Sequence, residues 1–310
     1  FREWVTHAVR YGSQGEKMKV SRSEIVNVRG LRYHVRHWGE SHWPKLFMVH
    51  GWMDCSASFQ FVVDALQQQW HVIAPDWRGF GLSEDSGADC YWFPDYLGDL
   101  DALLDHYAPD EAVNLLGHSM GGNVVALYAG VRPHRVKKLI NLEGFGLAKT
   151  SPEQAPGRYA KWLDSLKQPQ DLRTYDSLAQ VAARLQKTNP RLSSERAAFL
   201  SGHWSRCNPD GRWEILGDDA HKRPSPLLYH EEEVLACWAQ TTAPVLWVEA
   251  ELTDMWRWMG GKEQARPEID RRIRAIPRVT TALLPEAGHM LHHDQPQLLA
   301  QMVEQFLMQD

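Results

Sequence analysis

The chain has 310 residues, of which 43% are hydrophobic and 24% charged, and its formal net charge is -5. This composition is ordinary for a globular protein and allows one large α/β domain or two modest ones. The acidic balance argues against nucleic acid or an anionic membrane as the main partner, and no apolar run approaches the ~20 residues needed to span a bilayer.

The first third of the chain alternates strand and helix signals. Residues 1–18 are polar and irregular, and we predict an extension that wraps the domain. An edge hairpin is predicted next, followed by buried strands and amphipathic helices. The strands are expected at 24–28, 31–35, 45–51 and 70–76, and the helices at 56–67 and 96–107. This alternation predicts a mostly parallel sheet that helices cover on both faces.

Residues 117–121 read Gly-His-Ser-Met-Gly, the G-x-S-x-G pattern of a nucleophile elbow. A buried strand is predicted before this motif at 113–116, and a helix after it at 123–129. A strand that turns directly into a helix strains the middle residue, and the flanking glycines leave room for the neighbouring backbone. Free N–H groups at the start of the helix favour negative charge beside the hydroxyl. We therefore predict Ser119 as a nucleophile.

The second half of the chain departs from this alternation of strands and helices and then returns to it. Residues 146–235 contain polar helical segments with scattered aromatic side chains and no strong apolar strand. Strands are expected on either side of this block, at 136–144, 243–250 and 279–285, with helices at 264–276 and 295–308. We predict a core formed by 1–145 and 236–310, and an inserted helical cap at 146–235.

A serine hydroxyl needs a base, and the base needs an orienting partner. His289 follows the last predicted strand and is the candidate base. Two carboxylates compete for the third position. Asp254 gives the chain order Ser, Asp, His of this architecture, whereas Glu143 follows the strand after the elbow. We prefer Asp254 and leave Glu143 open.

The strand end at 50–54 supplies the remaining parts of the predicted site. The backbone N–H groups of Trp52 and Met120 are expected to form an oxyanion hole. Asp54 is read as a cap of the following helix, and His50 as a structural histidine that orders the loop. Aromatic residues of the cap are expected to shape an apolar pocket. The residues assigned to this substrate pocket are His50, Gly51, His118, Trp162 and Trp204.

These motifs together resemble the α/β-hydrolase superfamily, in its epoxide-hydrolase-like and haloalkane-dehalogenase-like branch. The resemblance covers about residues 20–310 except the cap, and is carried by the motifs at 50–52, 76–83, 117–121 and 288–289. It implies the α/β-hydrolase fold, with Ser119 as nucleophile, His289 as base, and Trp52 and Met120 as oxyanion donors. The sequence departs from the branch by carrying serine where its epoxide hydrolases and dehalogenases carry aspartate, which favours acyl chemistry. Glu251 also stands where the family usually has glycine.

We therefore expect a carboxylesterase-like serine hydrolase that cleaves an ester or lactone of a small, largely apolar molecule. The alternatives are a C–C bond hydrolase of a keto acid, which would need a cationic cap residue such as Arg158, Arg173 or Arg206, and a non-catalytic binding protein. We expect no cofactor and no metal, because the four cysteines are widely spaced and read as free thiols. A small-molecule substrate is the expected partner, a homodimer is left open, and the N-terminal residues favour a cytoplasmic location.

Overall fold

The computed structural model describes residues 18–168, 172–259 and 261–309. The predicted N-terminal extension lies almost entirely outside the described residues. The strands of the described part are β1 (Arg22–Val28), β2 (Leu31–Trp38), β3 (Lys45–Val49), β4 (His71–Pro75), β5 (Val113–His118), β6 (Val136–Leu142), β7 (Thr174–Tyr175), β8 (Ser205–Cys207), β9 (Trp213–Ile215), β10 (Val245–Ala250) and β11 (Val279–Leu284). Its helices are α1 (Gln60–Ala65), α2 (Phe93–Tyr107), α3 (Met120–Val131), α4 (Ala155–Leu166), α5 (Leu178–Thr188), α6 (Ser194–Trp204), α7 (Glu231–Trp238), α8 (Lys262–Ile273), α9 (Leu291–Asp294) and α10 (Pro296–Met308).

The main sheet runs in the order β1-β2-β4-β3-β5-β6-β10-β11. Strand β2 is antiparallel to both of its neighbours, and the other six strands of this sheet, β4, β3, β5, β6, β10 and β11, pair in parallel. The predicted edge hairpin and the mostly parallel sheet are therefore confirmed. Because parallel strands end at the same edge of a sheet, the loops after β3, β5, β6, β10 and β11 meet there.

Alternate side chains of the central strands face opposite layers of the core. In β5, Leu115 packs with the layer that includes α2, α3 and α8, while Leu116 packs with the layer that includes α1 and α10. Both leucines are fully buried. Burial of a leucine side chain stabilises the folded state by about 1.5–3 kcal/mol. The near-continuous apolar runs of the sequence thus reflect a sheet that is covered on both faces.

The helix predicted at 56–67 is shorter and less regular than expected. A 3-10 turn at Ser56–Phe59 precedes α1, and Cys55 at its N-cap makes no side-chain cap hydrogen bond. The backbone N–H of Ser56 instead donates to Oδ1 of Asp76, at 2.6 Å. The prediction that Asp54 caps this helix is therefore wrong, because the strand-end carboxylate of Asp76 already occupies that position.

The inserted block contains strands as well as helices. Strands β7, β9 and β8 form a small antiparallel sheet, so the description of the cap as purely helical is incomplete. Helix α7 crosses the predicted boundary at 235/236 and packs against α3. A Cβ placed on Gly130 of α3 would lie 1.8 Å from the carbonyl oxygen of Cys237. We propose that α7 belongs to the core, and that the cap ends before it.

Among residues 18–168, 172–259 and 261–309, no helix has both the length and the apolar character that crossing a bilayer requires. All four cysteines have free thiols, as the sequence predicts.

Candidate active site

Ser119 stands at the sharp turn between β5 and α3, with φ +52° and ψ -114°. The glycines of the motif make this turn possible. A Cβ on Gly117 would lie 2.3 Å from the carbonyl oxygen of Gly121, and a Cβ on Gly121 would lie 2.3 Å from that of Val49. No side chain fits at either position, because the strand, the turn and the neighbouring β3 approach each other too closely.

The imidazole of His289 connects Ser119 to Glu143. The hydroxyl of Ser119 donates to Nε2 of His289 at 2.9 Å, and Nδ1 of His289 donates to Oε2 of Glu143 at 3.1 Å. The carboxylate fixes the tautomer, because a carboxylate can only accept and Nδ1 must therefore carry the proton. His289 lies 170 residues after Ser119 and 146 residues after Glu143, and the three side chains have the geometry of a nucleophile, a base and an orienting acid.

The carboxylate of Glu143 is fully buried and held by several donors. Its Oε1 accepts the backbone N–H of Ala250 at 2.7 Å, and its Oε2 accepts the hydroxyl of Thr253 as well as the imidazole of His289. A buried carboxylate needs such partners, since an unpaired one would cost several kcal/mol. Thr253 was not identified from the sequence, and its only signal is its position beside the predicted acid.

Asp254 lies away from His289 on the surface. Its side chain is 58% exposed and forms an ion pair with Arg257 at 3.1 Å. The stated preference for Asp254 over Glu143 is therefore wrong for the geometry of this site. The chain turns after Thr253, so that the threonine faces inward and the aspartate faces solvent.

The loop that carries His289 is braced by a residue of the cap. The backbone N–H of Gly288 donates to Oδ2 of Asp294 at 2.8 Å, and the side-chain amide of Asn189 donates to Oδ1 of the same aspartate at 2.7 Å. Neither Asn189 nor Asp294 was singled out in the sequence. Polar side chains of this kind carry no periodicity, and Asn189 and Asp294 are 105 residues apart in the chain.

His50 does not face a pocket. Its imidazole is fully buried, with Nε2 accepting the N–H of Trp77 at 2.9 Å and Nδ1 donating to the carbonyl of Gly51 at 2.7 Å. Burial lowers its pKa. The assignment of His50 to the substrate pocket is wrong because both ring nitrogens hold the loop, and its reading as a structural histidine fits the contacts.

Gly51 borders the nucleophile, since a Cβ there would lie 3.0 Å from Cβ of Ser119. Its neighbour Trp52 is 53% exposed at the same edge of the sheet. Met120 is the first residue of α3, so its N–H belongs to the first turn, whose N–H groups lack intrahelical acceptors. The oxyanion roles of Trp52 and Met120 stay predictions.

The two tryptophans assigned to the pocket have different surroundings. The indole N–H of Trp204 donates to Oδ1 of Asp54 at 3.1 Å, which links the cap to the loop after β3. Trp162 is half-buried on α4, a helix with no buried residue, and its indole N–H has no hydrogen-bond partner among the described residues. Trp204 therefore holds the cap on the core, whereas the pocket role of Trp162 stays a prediction.

His118, the residue before the nucleophile, is buried behind the site. Its Nε2 donates to the backbone carbonyl of His289 at 2.8 Å, and burial, together with His292 and His289, holds its pKa well below the usual value. Asp54 lies nearby and is also buried. Burial raises the pKa of Asp54, but the neighbouring histidines, His292 foremost, outweigh this effect and lower it. His118 thus belongs to a buried polar cluster behind Ser119, and its assignment to the substrate pocket is wrong.

Strained backbone angles concentrate around this edge of the sheet. Among the described residues other than glycine, positive φ angles occur at Arg29, Met53, Ser119, Glu143 and Glu286. The first belongs to the hairpin turn between β1 and β2, and the other four follow β3, β5, β6 and β11. Each such residue costs on the order of 1–3 kcal/mol and persists only where the surroundings enforce it. The backbone alone therefore marks the region that holds Ser119, Glu143 and His289.

Comparisons with known proteins agree with this architecture. The chain matches a family model described as the alpha/beta hydrolase fold over residues 44–296. It is 29% identical over 170 residues to a serine hydrolase-like protein of Danio rerio, and this match spans 53% of the chain and about half, 52%, of that relative. It is 21% identical over 302 residues to a serine hydrolase-like protein of Dictyostelium discoideum, which covers 94% of the chain and 83% of the relative.

Solved structures show the same fold. The thioesterase domain from the curacin biosynthetic pathway superposes with a TM-score of 0.80 at 22% identity, over 92% of this chain and 99% of that domain. At this identity the similarity concerns the fold alone. The predicted branch, close to epoxide hydrolases and haloalkane dehalogenases, stays a prediction.

Proposed function

The chain belongs to the α/β-hydrolase family, and on that basis we propose that it is a serine hydrolase that cleaves a carboxylic ester or lactone through an acyl-enzyme. The observation that carries this proposal is the continuous hydrogen-bond chain from Ser119 through His289 to the buried carboxylate of Glu143. This is the arrangement in which a neutral hydroxyl becomes a nucleophile at neutral pH.

The proposed reaction proceeds in two halves. Oγ of Ser119 attacks the carbonyl carbon of the substrate while Nε2 of His289 accepts the hydroxyl proton, and the resulting imidazolium is stabilised by Glu143. The tetrahedral oxyanion accepts hydrogen bonds from the N–H groups of Trp52 and Met120. His289 then returns the proton to the leaving alcohol oxygen, which leaves an ester on Ser119. In the second half, a water molecule attacks the carbonyl carbon of this ester while Nε2 of His289 accepts one of its protons. The bond to Oγ of Ser119 then breaks, Oγ takes the proton back from His289, and the carboxylic acid is released.

The loops around this edge favour an apolar substrate. Several large apolar side chains on loops that follow β3, β6 and β10 are about half exposed or more, and they are Trp52, Leu147, Leu252 and Trp258. An exposed apolar set around a reactive centre is typical of sites that bind apolar groups. The names of the relatives, serine hydrolase-like protein and thioesterase domain, are consistent with acyl transfer.

The alternative of a C–C bond hydrolase gains no support from Arg206, one of the cationic cap residues that it would need. Arg206 forms an ion pair with Glu214 at 2.6 Å, so its charge is already matched. The third hypothesis is a binding protein without turnover. In such a protein Ser119 would be unreactive, and the experiment below tests its reactivity.

Labelling with a fluorophosphonate probe, followed by turnover of p-nitrophenyl acetate and butyrate, tests the proposal. We expect wild-type protein to be labelled at Ser119, and Ser119→Ala to lose both labelling and turnover to about the uncatalysed background. Ser41→Ala is a matched control, because Ser41 lies in an exposed turn before β3, at the opposite edge of the sheet.

Circular dichroism of all variants confirms that they are folded. Label on a different serine, or ester hydrolysis by Ser119→Ala at the wild-type rate, contradicts the proposal. Folded wild-type protein that neither reacts with the probe nor hydrolyses either ester supports the binding-protein reading instead.

A further inference from the structure

We propose that Asp54, His118 and His292 form an internal site for a divalent transition-metal ion, directly behind Ser119. The three side chains are buried, and each offers a ligand atom that lies within 4.8 Å of the ligand atoms of the other two. They come from the loop after β3, from the end of β5 and from α9. The site is distinct from the proposed catalytic residues and does not depend on the ester chemistry.

His118 presents a lone pair to this site. Its Nε2 lies 2.8 Å from the carbonyl oxygen of His289, and since a carbonyl only accepts, Nε2 carries the proton. Nδ1 is therefore unprotonated in the neutral ring, and it is buried with no hydrogen-bond partner among the described residues. A metal-ligating histidine typically donates its other N–H to a carbonyl or carboxylate, and His118 does so to the backbone of His289.

The carboxylate of Asp54 offers a second acceptor atom, Oδ2, to the site. Its Oδ1 accepts the backbone N–H of Cys55 at 2.9 Å and the indole N–H of Trp204 at 3.1 Å. Its Oδ2 is buried and makes no hydrogen bond within the described part of the chain, and Nε2 of His292 lies 3.7 Å from it. Two unpaired acceptors this close repel each other in a low-dielectric interior, unless a donor or a cation lies between them.

His292 completes the set at ligand spacing. Its Nε2 lies 3.7 Å from Oδ2 of Asp54 and 3.3 Å from the hydroxyl oxygen of Ser58, and its side chain is fully buried. Ligand atoms bound tetrahedrally to zinc at about 2.0–2.2 Å lie roughly 3.3–3.6 Å apart, so this pair needs little movement. Two imidazoles and one carboxylate suit Zn²⁺ and other first-row divalent ions better than Mg²⁺ or Ca²⁺, which prefer oxygen ligands.

The burial of the site determines how it must be loaded. A buried site of this kind forms as the chain folds, and the binding energy of the ion adds to the stability of the folded state. The test therefore uses the full chain expressed with supplementary Zn²⁺ or Co²⁺ and then dialysed exhaustively against metal-free buffer. We expect about one ion per chain by elemental analysis, visible d–d absorption in the Co²⁺ form, and a higher Tm than protein expressed under metal depletion.

Variants locate the ion. We expect His292→Gln and Asp54→Asn to lower the retained metal at least about tenfold, because each removes one of three ligands. His293→Gln is the matched control, since His293 is adjacent, is also buried and also contacts the hydroxyl of Ser58, but does not belong to the set. His289→Ala is expected to retain the ion, which separates this site from the proposed catalytic one.

Folded wild-type protein with less than about one-tenth of an ion per chain, in both metal media, overturns the proposal. Retention of the ion by His292→Gln together with its loss from His289→Ala overturns it as well, since the catalytic residues would then be the ligands. If His292→Gln does not fold, the metal content of the wild-type protein and of Asp54→Asn tests the proposal in its place.

Discussion

The loops after β6 and β10 each carry a carboxylate to the same edge of the sheet, and the two acids have opposite environments. Glu143 is fully buried, has φ +59° and receives hydrogen bonds from Ala250, Thr253 and His289. Asp254 is 58% exposed and is paired with Arg257. The end of β10 and the loop after it thus contribute the donors that hold Glu143 on the neighbouring loop, while Asp254 of the same loop faces solvent.

This difference shows that the surroundings of a carboxylate, more than its place in the chain, determine whether it can orient the catalytic histidine. An exposed acid paired with arginine in high dielectric exerts a weak and screened field on a distant imidazole. A buried carboxylate beside the ring acts through a low dielectric and in a fixed geometry. The predictions below test this contrast from its strongest consequence to its weakest.

Glu143→Gln is expected to reduce kcat for p-nitrophenyl esters by roughly 10³–10⁴-fold. The N–H of Ala250 requires the amide oxygen to face it, so the amide NH₂ faces His289 and forces the wrong tautomer on the ring. Steady-state kinetics on folded protein measure this loss. Labelling by fluorophosphonate is expected to slow in parallel, and a variant with more than a tenth of wild-type kcat contradicts the role of Glu143.

Thr253→Val is expected to reduce kcat/KM about tenfold, because it removes one hydrogen bond to the charged carboxylate without changing side-chain volume. The same change in the Glu143→Gln background is expected to have almost no further effect, since both act through one group. Additive losses in this double-mutant cycle would assign Thr253 a role independent of Glu143.

Asn189→Ala is expected to lower kcat about fivefold, because Asp294 loses one of the contacts that fix the loop of His289. Asn189→Asp is expected to cost more, since a second carboxylate would face Asp294 at hydrogen-bond distance. Stopped-flow or steady-state rates at equal substrate saturation compare the two. Wild-type rates in both variants would show that the cap does not position His289.

Asp254→Asn is expected to change kcat by less than about twofold and the free energy of unfolding by under about 0.5 kcal/mol, because exposed ion pairs contribute little. Kinetics and urea denaturation measure both quantities. A loss comparable to that of Glu143→Gln would mean that the acid after β10 moves to His289 during turnover, and would reverse the comparison.

The parts of this molecule that the sequence predicted depend on short-range patterns. The strands around 113–118 and 245–250 appear as apolar runs, and the elbow at 117–121 is defined by glycines whose spacing is local. Each could be recognised because its cause lies within a few residues of itself. His289 could be found because it lies in the loop just after a predicted strand and is preceded by small residues.

The choice between the acids could not be read in this way. It depends on Ala250 and Thr253, whose groups reach Glu143 across 107 and 110 residues of chain. The cap strands escaped detection because they are two or three residues long, too short to show an alternating pattern. The buried set of Asp54, His118 and His292 likewise comes from a loop, a strand end and a helix that are far apart in the chain, so no local spacing in the sequence predicts it.

The positive φ angles at Met53, Ser119, Glu143 and Glu286 have a consequence for protein engineering. Glycine at such positions relieves steric strain, so a screen that selects only for thermal resistance would tend to enrich substitutions there. At Ser119 and Glu143 the same substitution removes the side chain that the reaction requires. Durability and turnover are therefore expected to compete at these backbone positions, and libraries that seek both should leave them unchanged.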